Sequence, residues 1–169
     1  MGNFTKDVKN LLVLETTLSA VTQIVFLAFI LEAEQSFGAQ LAGVVRSIYF
    51  VPLAIFAPIM GVYVDRYGPM ACLRYSSAAL ALAFLASAAL SGLQIMSGAA
   101  LALATGVTSA ALYLGGCSTG ALVKQRVQGS DVAWFNGLAG SIQSSLAIIL
   151  PVITGLLMTV SGGFRLIMV

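Results

Sequence analysis

Gly61-Val-Tyr-Val-Asp65-Arg66-Tyr-Gly68-Pro69-Met70 decides the fold, because an acid, a base, two glycines and a proline crowd together there between two long apolar segments. Gly61 and Gly68 lack side chains where two helix ends would approach closely. Asp65 and Arg66 set opposite charges in the turn, and Pro69 suits the first turn of a helix, where its missing amide hydrogen would be unpaired anyway. Together these demands describe a tight, charged helix-loop-helix elbow at a membrane surface.

The composition on either side of the elbow belongs to an integral membrane protein. The chain is 59% hydrophobic and 8% charged with a mean hydropathy of +1.00, against about a quarter charged residues in soluble domains. A net charge of +2, scattered and without a Lys/Arg-rich run, gives no track for a phosphate backbone and excludes nucleic acid as a partner. Cys72 and Cys117 fall in or at the edge of apolar segments with no C-x-x-C spacing, so they read as small buried side chains and not a disulfide. The absence of histidine removes the commonest ligand of zinc and haem, and no G-x-x-x-x-G-K-[ST] loop occurs, so neither a metal, a cofactor nor ATP-driven pumping is expected.

Working outward, the hydropathy predicts an all-α, single membrane domain with spans near 11–31, 39–64, 71–90, 98–123 and 132–160, and the start of a sixth from 164. A polar opening at 1–10 precedes the first span, which Glu15, Thr16, Thr17, Thr22 and Gln23 make too polar for a cleaved signal. Glu32 and Glu34 mark a short exit loop. Pro52 and Pro58 lie inside the second span and predict a bend. Asp131 is placed to cap the fifth helix, with Trp134 and Phe135 at the depth of the interfacial aromatic belt. Lys6, Lys9, Arg66, Arg74, Lys124 and Arg126 then share one side, leaving Arg165 opposite and Arg46 within a span. Bases stay inside, so the N-terminus and the Asp65 loop are cytoplasmic in a multi-pass cell-membrane protein.

The string G-x-x-x-D-R-x-G, carried here by Gly61, Asp65, Arg66 and Gly68, resembles the signature of the major facilitator superfamily in the cytoplasmic loop between its second and third membrane helices. This chain has Pro69 and Met70 where family members carry bases, with Arg74 next. Asn136-Gly137 leading into Ser144-Ser145 and Pro151 is similar to the drug- and macrolide-exporter branch, with Leu150-Pro151 replacing the usual glycine-proline pair. The resemblance implies the N-terminal half of a transporter built from two six-helix halves, in a bacterial inner membrane, exporting small amphiphilic compounds by alternating access. It gives Gly61, Asp65, Arg66 and Gly68 the role of a conformational switch, and makes the expected partners lipid, a small-molecule substrate, and a complementary C-terminal half or a second copy. The expectation is of a cut or truncated product, inactive alone. Pro58 to Gly61 and Pro151 to Gly155 echo each other as spans two and five of an inverted repeat would.

Few residues could carry chemistry. Gly116-Cys-Ser118-Thr-Gly120 fits G-x-S-x-G, but without a histidine to activate Ser118 hydrolysis is set aside and no enzyme is expected. The same residues make a small-x-x-x-small face, and Gly116 and Gly120 read as a helix-packing surface. Glu15, Gln23 and Arg46 are the candidates for a cavity or for ion coupling. Glu15 can take up a proton. Arg46 either faces a cavity or snorkels outward. Thr16, Thr22, Ser141, Gln143, Ser144 and Ser145 either line a polar path or hydrogen-bond helix to helix. The rival reading is a small non-transporting membrane protein that binds or stabilises another membrane protein.

Overall fold

Gly38 and Gly68 each separate two long helices by a single residue, with φ 89° and ψ 170° at Gly38 and φ 85° and ψ 143° at Gly68. Backbone of this kind is close to glycine-only, which is why the chain turns there and nowhere nearby. Each hinge belongs to both helices. The Gly68 amide donates to the Val64 carbonyl at 3.0 Å and its own carbonyl accepts from Cys72 at 3.2 Å, and Gly38 does the same with Glu34 and Ala42.

The computed structural model describes residues 6–127, 131–160 and 163–168. The polar opening at 1–5, the loop at 128–130 and the turn at 161–162 lie outside them. The described residues form α1 (Lys6–Phe37), α2 (Ala39–Tyr67), α3 (Pro69–Gly92), α4 (Gly98–Arg126), α5 (Asp131–Met158) and α6 (Gly163–Met168), with no strand among them. Five are long and apolar enough to cross a membrane.

The helices overrun their apolar windows. α1 has 32 residues, about 48 Å at ~1.5 Å per residue, against a hydrocarbon core of about 30 Å. Glu32 and Glu34 are therefore helical and form no exit loop, because Glu, Ala and Gln propagate a helix until Gly38 stops it. Ser36 donates to the Glu32 carboxylate at 2.9 Å within that last stretch. Pro69 opens α3 at its first turn, and Ser97 caps α4 by accepting from the Ala100 amide at 3.2 Å. α5 ends at Met158, two residues short of the expected limit.

α2 runs unbroken through Pro52 and Pro58. Pro52 cannot donate back to the Ile48 carbonyl. The hydroxyl of Ser109 on α4 donates to the Tyr49 carbonyl, the next one along from the carbonyl that Pro52 frees.

Two apolar cores show that α1 and α4 are antiparallel. At one end Val25, Ala28, Phe29 and Ala33 of α1 pack with Val45 of α2, Leu101 of α4 and Phe164 of α6. At the other, Val8 and Leu11 of α1 pack with Leu122 of α4 and Phe135 and Ala139 of α5. Phe135 is thus a core side chain and no part of an aromatic belt, while Trp134 beside it is exposed.

Helix neighbours follow a pattern. α1 touches α2, α4, α5 and α6; α3 touches α2, α4 and α6; α2 packs on α4 and α6 on α5. Exchanging α1 with α4, α2 with α5 and α3 with α6 maps α2–α4 onto α1–α5, α2–α3 onto α5–α6, and α3–α4 onto α1–α6. The α1–α4 and α3–α6 contacts map onto themselves. One contact has no counterpart: α1 packs on α2, whereas α4 and α5 stay apart among the described residues.

Candidate binding site

A cleft of about 550 Å³ occupies the gap between α4 and α5, with α1 behind it. α1 contributes Glu15, α4 contributes Gly120 and Lys124, and α5 contributes Asn136, Gly140 and Gln143. Val123, Val127, Val132, Phe135 and Ala139 complete its apolar wall. The Oε2 atom of Glu15 is buried there without a hydrogen-bond partner. Lys124 is exposed at the cytoplasm-facing end expected for α4, in its last turn. Glu15 and Lys124 form no ion pair.

A second pocket, about 370 Å³, lies between α1, α2 and α4. Thr22 comes from α1, Tyr49 and Phe50 from α2, and Ser109, Leu112, Tyr113, Gly116 and Cys117 from α4. Phe26 stacks against both Tyr49 and Phe50, at 4.5 and 5.6 Å between ring centroids, which fixes the aromatic wall. Helix exchange carries the helices that wall the first pocket onto those that wall the second, while the linings differ.

The pockets share faces. Glu15 and Thr22 are seven residues apart on α1, and Gly120 and Gly116 four apart on α4, so each pair lies on one side of its helix. With the helices antiparallel, the aromatic pocket lies about 6–10 Å further along the α1–α4 seam than the polar cleft, at ~1.5 Å per residue.

Gly116 and Gly120, which the sequence presents as a packing face, border the two pockets. Among the described residues no atom outside the surrounding helix lies within 4 Å of where a Cβ on either would sit, so within the chain they open space into the pockets. Their neighbour Gly115 is closely packed, against Ser76 of α3 and Leu18 of α1. Ser118, between them, is fully buried and donates to the Leu114 carbonyl at 2.7 Å.

At the elbow, the close approach of helix ends expected at Gly61 and Gly68 is absent among the described residues. Nothing lies within 4 Å of a Cβ on Gly61 or Gly68; the requirement at Gly68 is its positive φ. Asp65 and Arg66 are exposed and unpaired with each other, and the Arg66 guanidinium lies 5.6 Å from the Tyr67 ring centre. Tyr63 and Tyr67 stack at 4.7 Å.

Of the other candidates, Gln23 is half-buried and Arg46 exposed, and neither borders the two pockets. Thr16, Thr22, Ser141 and Ser145 donate back to carbonyls of their own helices and bridge nothing. Hydrogen bonds that cross between helices include Ser76 to Ala111 at 2.8 Å and Ser109 to Tyr49, from residues not singled out, and the Cys72 thiol to the Tyr63 carbonyl at 3.7 Å. Cys72 and Cys117 are free thiols. Among the described residues no three His, Cys, Asp or Glu side chains gather to hold a metal.

Comparison with protein-family models, curated proteins and solved structures gave no match.

Proposed function

We propose that this chain is one helical bundle of a secondary transporter of the major facilitator type, moving small amphiphilic compounds outward by alternating access. The observation that carries the reading is Glu15. A carboxylate oxygen buried without a partner is costly in an apolar bundle, and such groups in membrane helices mark substrate or ion paths. The exchange of helix neighbours adds support, because inverted repeats with a site at their interface are a construction transporters use. The furrow formed by the two pockets has one wall here. A second bundle, either a complementary half or another copy of the chain, supplies the other, and the Asp65 elbow acts at the cytoplasmic surface as the two move.

Everted membrane vesicles from the cells of origin test this. Gradient-driven uptake of a fluorescent amphiphile is expected in vesicles with the native chain and lost with Glu15→Gln, while the amount of chain in the membrane holds. Equal gradient-driven uptake in both would remove Glu15 from the path, and uptake with the native chain no greater than in vesicles lacking it would favour the non-transporting alternative.

A further inference from the structure

We infer that the cleft between α1, α4 and α5 takes a zwitterionic amphiphile, its ammonium group on Glu15, its carboxylate on Lys124, and an apolar ring extending toward Tyr49 and Tyr113. The inference names the ligand class of the cleft just described, and rests on its being a binding site. Its charges narrow the choice. Among the described residues the lining holds one acid and one base, on different helices, and the two do not pair. A simple cation would satisfy Glu15 but share the cleft with the like charge of Lys124, and a simple anion would reverse the conflict. A neutral molecule leaves the buried Glu15 oxygen without a counter-charge. A zwitterion resolves both.

Depth gives the order of contacts. Lys124 is exposed, one turn beyond Gly120 toward the end of α4, whereas the Glu15 carboxylate has a buried oxygen. The ammonium end therefore goes in deepest and the carboxylate stays near the mouth. The side-chain amides of Asn136 and Gln143 on α5 offer both donors and acceptors to whatever joins the two charges. Volume suits the class as well, since about 550 Å³ falls within the ~300–1,000 Å³ of sites for drug-sized ligands. The ring has a destination about 6–10 Å away along the seam, where Tyr49, Phe50 and Tyr113 surround the aromatic pocket.

Equilibrium dialysis of the purified chain in lipid nanodiscs tests the class with three probes that share both phenylalanine residues and differ at their termini, and so in charge. These are L-phenylalanyl-L-phenylalanine with free termini, its C-terminal amide, which is a cation, and its N-acetyl form, which is an anion. The zwitterion is expected to bind about tenfold or more tighter than either derivative, the scale of one well-placed charge contact. Glu15→Gln should erase its advantage over the anion and Lys124→Met its advantage over the cation, while Lys124→Arg keeps both. An amide that binds as well as the zwitterion, and tighter still in Lys124→Met, would overturn the inference in favour of a simple cation site. No saturable binding of the zwitterion, with thermal unfolding unchanged by the lipid used, would overturn it too. Binding is read here and transport is not, so a chain that fails to transport leaves this result standing, and transport without the charge preference removes the ligand class alone.

Discussion

The hydroxyl of Ser76 on α3 lies 2.8 Å from the point where a Cβ on Gly115 of α4 would sit, and donates at 2.8 Å to the carbonyl of Ala111, one turn earlier on α4. One small residue and one hydroxyl thus join the two helices. Ser76 is nearly fully buried and cannot give way without losing its acceptor. In lipid, where no hydrophobic drive holds helices together, such close approaches carry much of the packing.

Gly115→Ala is therefore expected to destabilise the bundle by about 1–3 kcal/mol, the usual cost of overpacking. Gly116→Ala and Gly120→Ala, with open space around them, should leave stability unchanged or slightly raised. Thermal unfolding of the three variants in one detergent compares them, and a Gly120→Ala loss as large as that of Gly115→Ala would contradict the assignment.

The elbow yields a second contrast. Gly68→Ala forces a side chain onto φ 85° and should cost about 1–3 kcal/mol. Gly61→Ala sits inside α2 with nothing near it, and should stabilise by roughly 0.5–1 kcal/mol, as alanine does over glycine within a helix. Equal effects at the two sites would mean that the turn is not held by backbone conformation.

These glycines show how far the sequence could be read. The number and order of the long apolar helices were legible, because each apolar window is long and set off by Gly, Pro or charge. Helix ends were not, since hydropathy reports the thickness of the apolar layer and the α1 helix continues through Glu32 and Glu34 until a glycine stops it. The spacing of Gly116 and Gly120 says that a neighbour could approach there, and nothing about whether one does. Glu15 stood out as a charge within a span. Its companions Lys124, Asn136 and Gln143 could not be joined to it, because only the folded arrangement of α1, α4 and α5 brings them to one cleft. Tyr49 and Tyr113 gave no signal among so many apolar residues.

Orientation follows from the placement of bases, with Lys9, Arg66, Arg74, Lys124 and Arg126 expected on the cytoplasmic side. Single cysteines at the exposed positions Gln35 and Gln125, with Cys72 and Cys117 replaced, report it in intact cells. An impermeant thiol reagent should label position 35 and spare position 125. The opposite result would invert the topology.

The central claim is that the Glu15 cleft is a watered site, and the outer faces of α3 and α4 are not. Thiol reagents in water need a thiolate, which forms in water and not in hydrocarbon. In the Cys72 and Cys117 replacement background, the most direct measurement is the rate at which a small, charged, water-soluble thiol reagent modifies Gly120→Cys in membranes, with Leu103→Cys as the reference. Leu103 is 72% exposed on α4, away from both pockets, where it borders a separate and almost wholly apolar groove between α3 and α4. The account predicts rapid labelling of position 120, slowed by a saturating ligand of the cleft, and none at 103. Labelling of position 120 as slow as that of position 103 would place the cleft in lipid and contradict it.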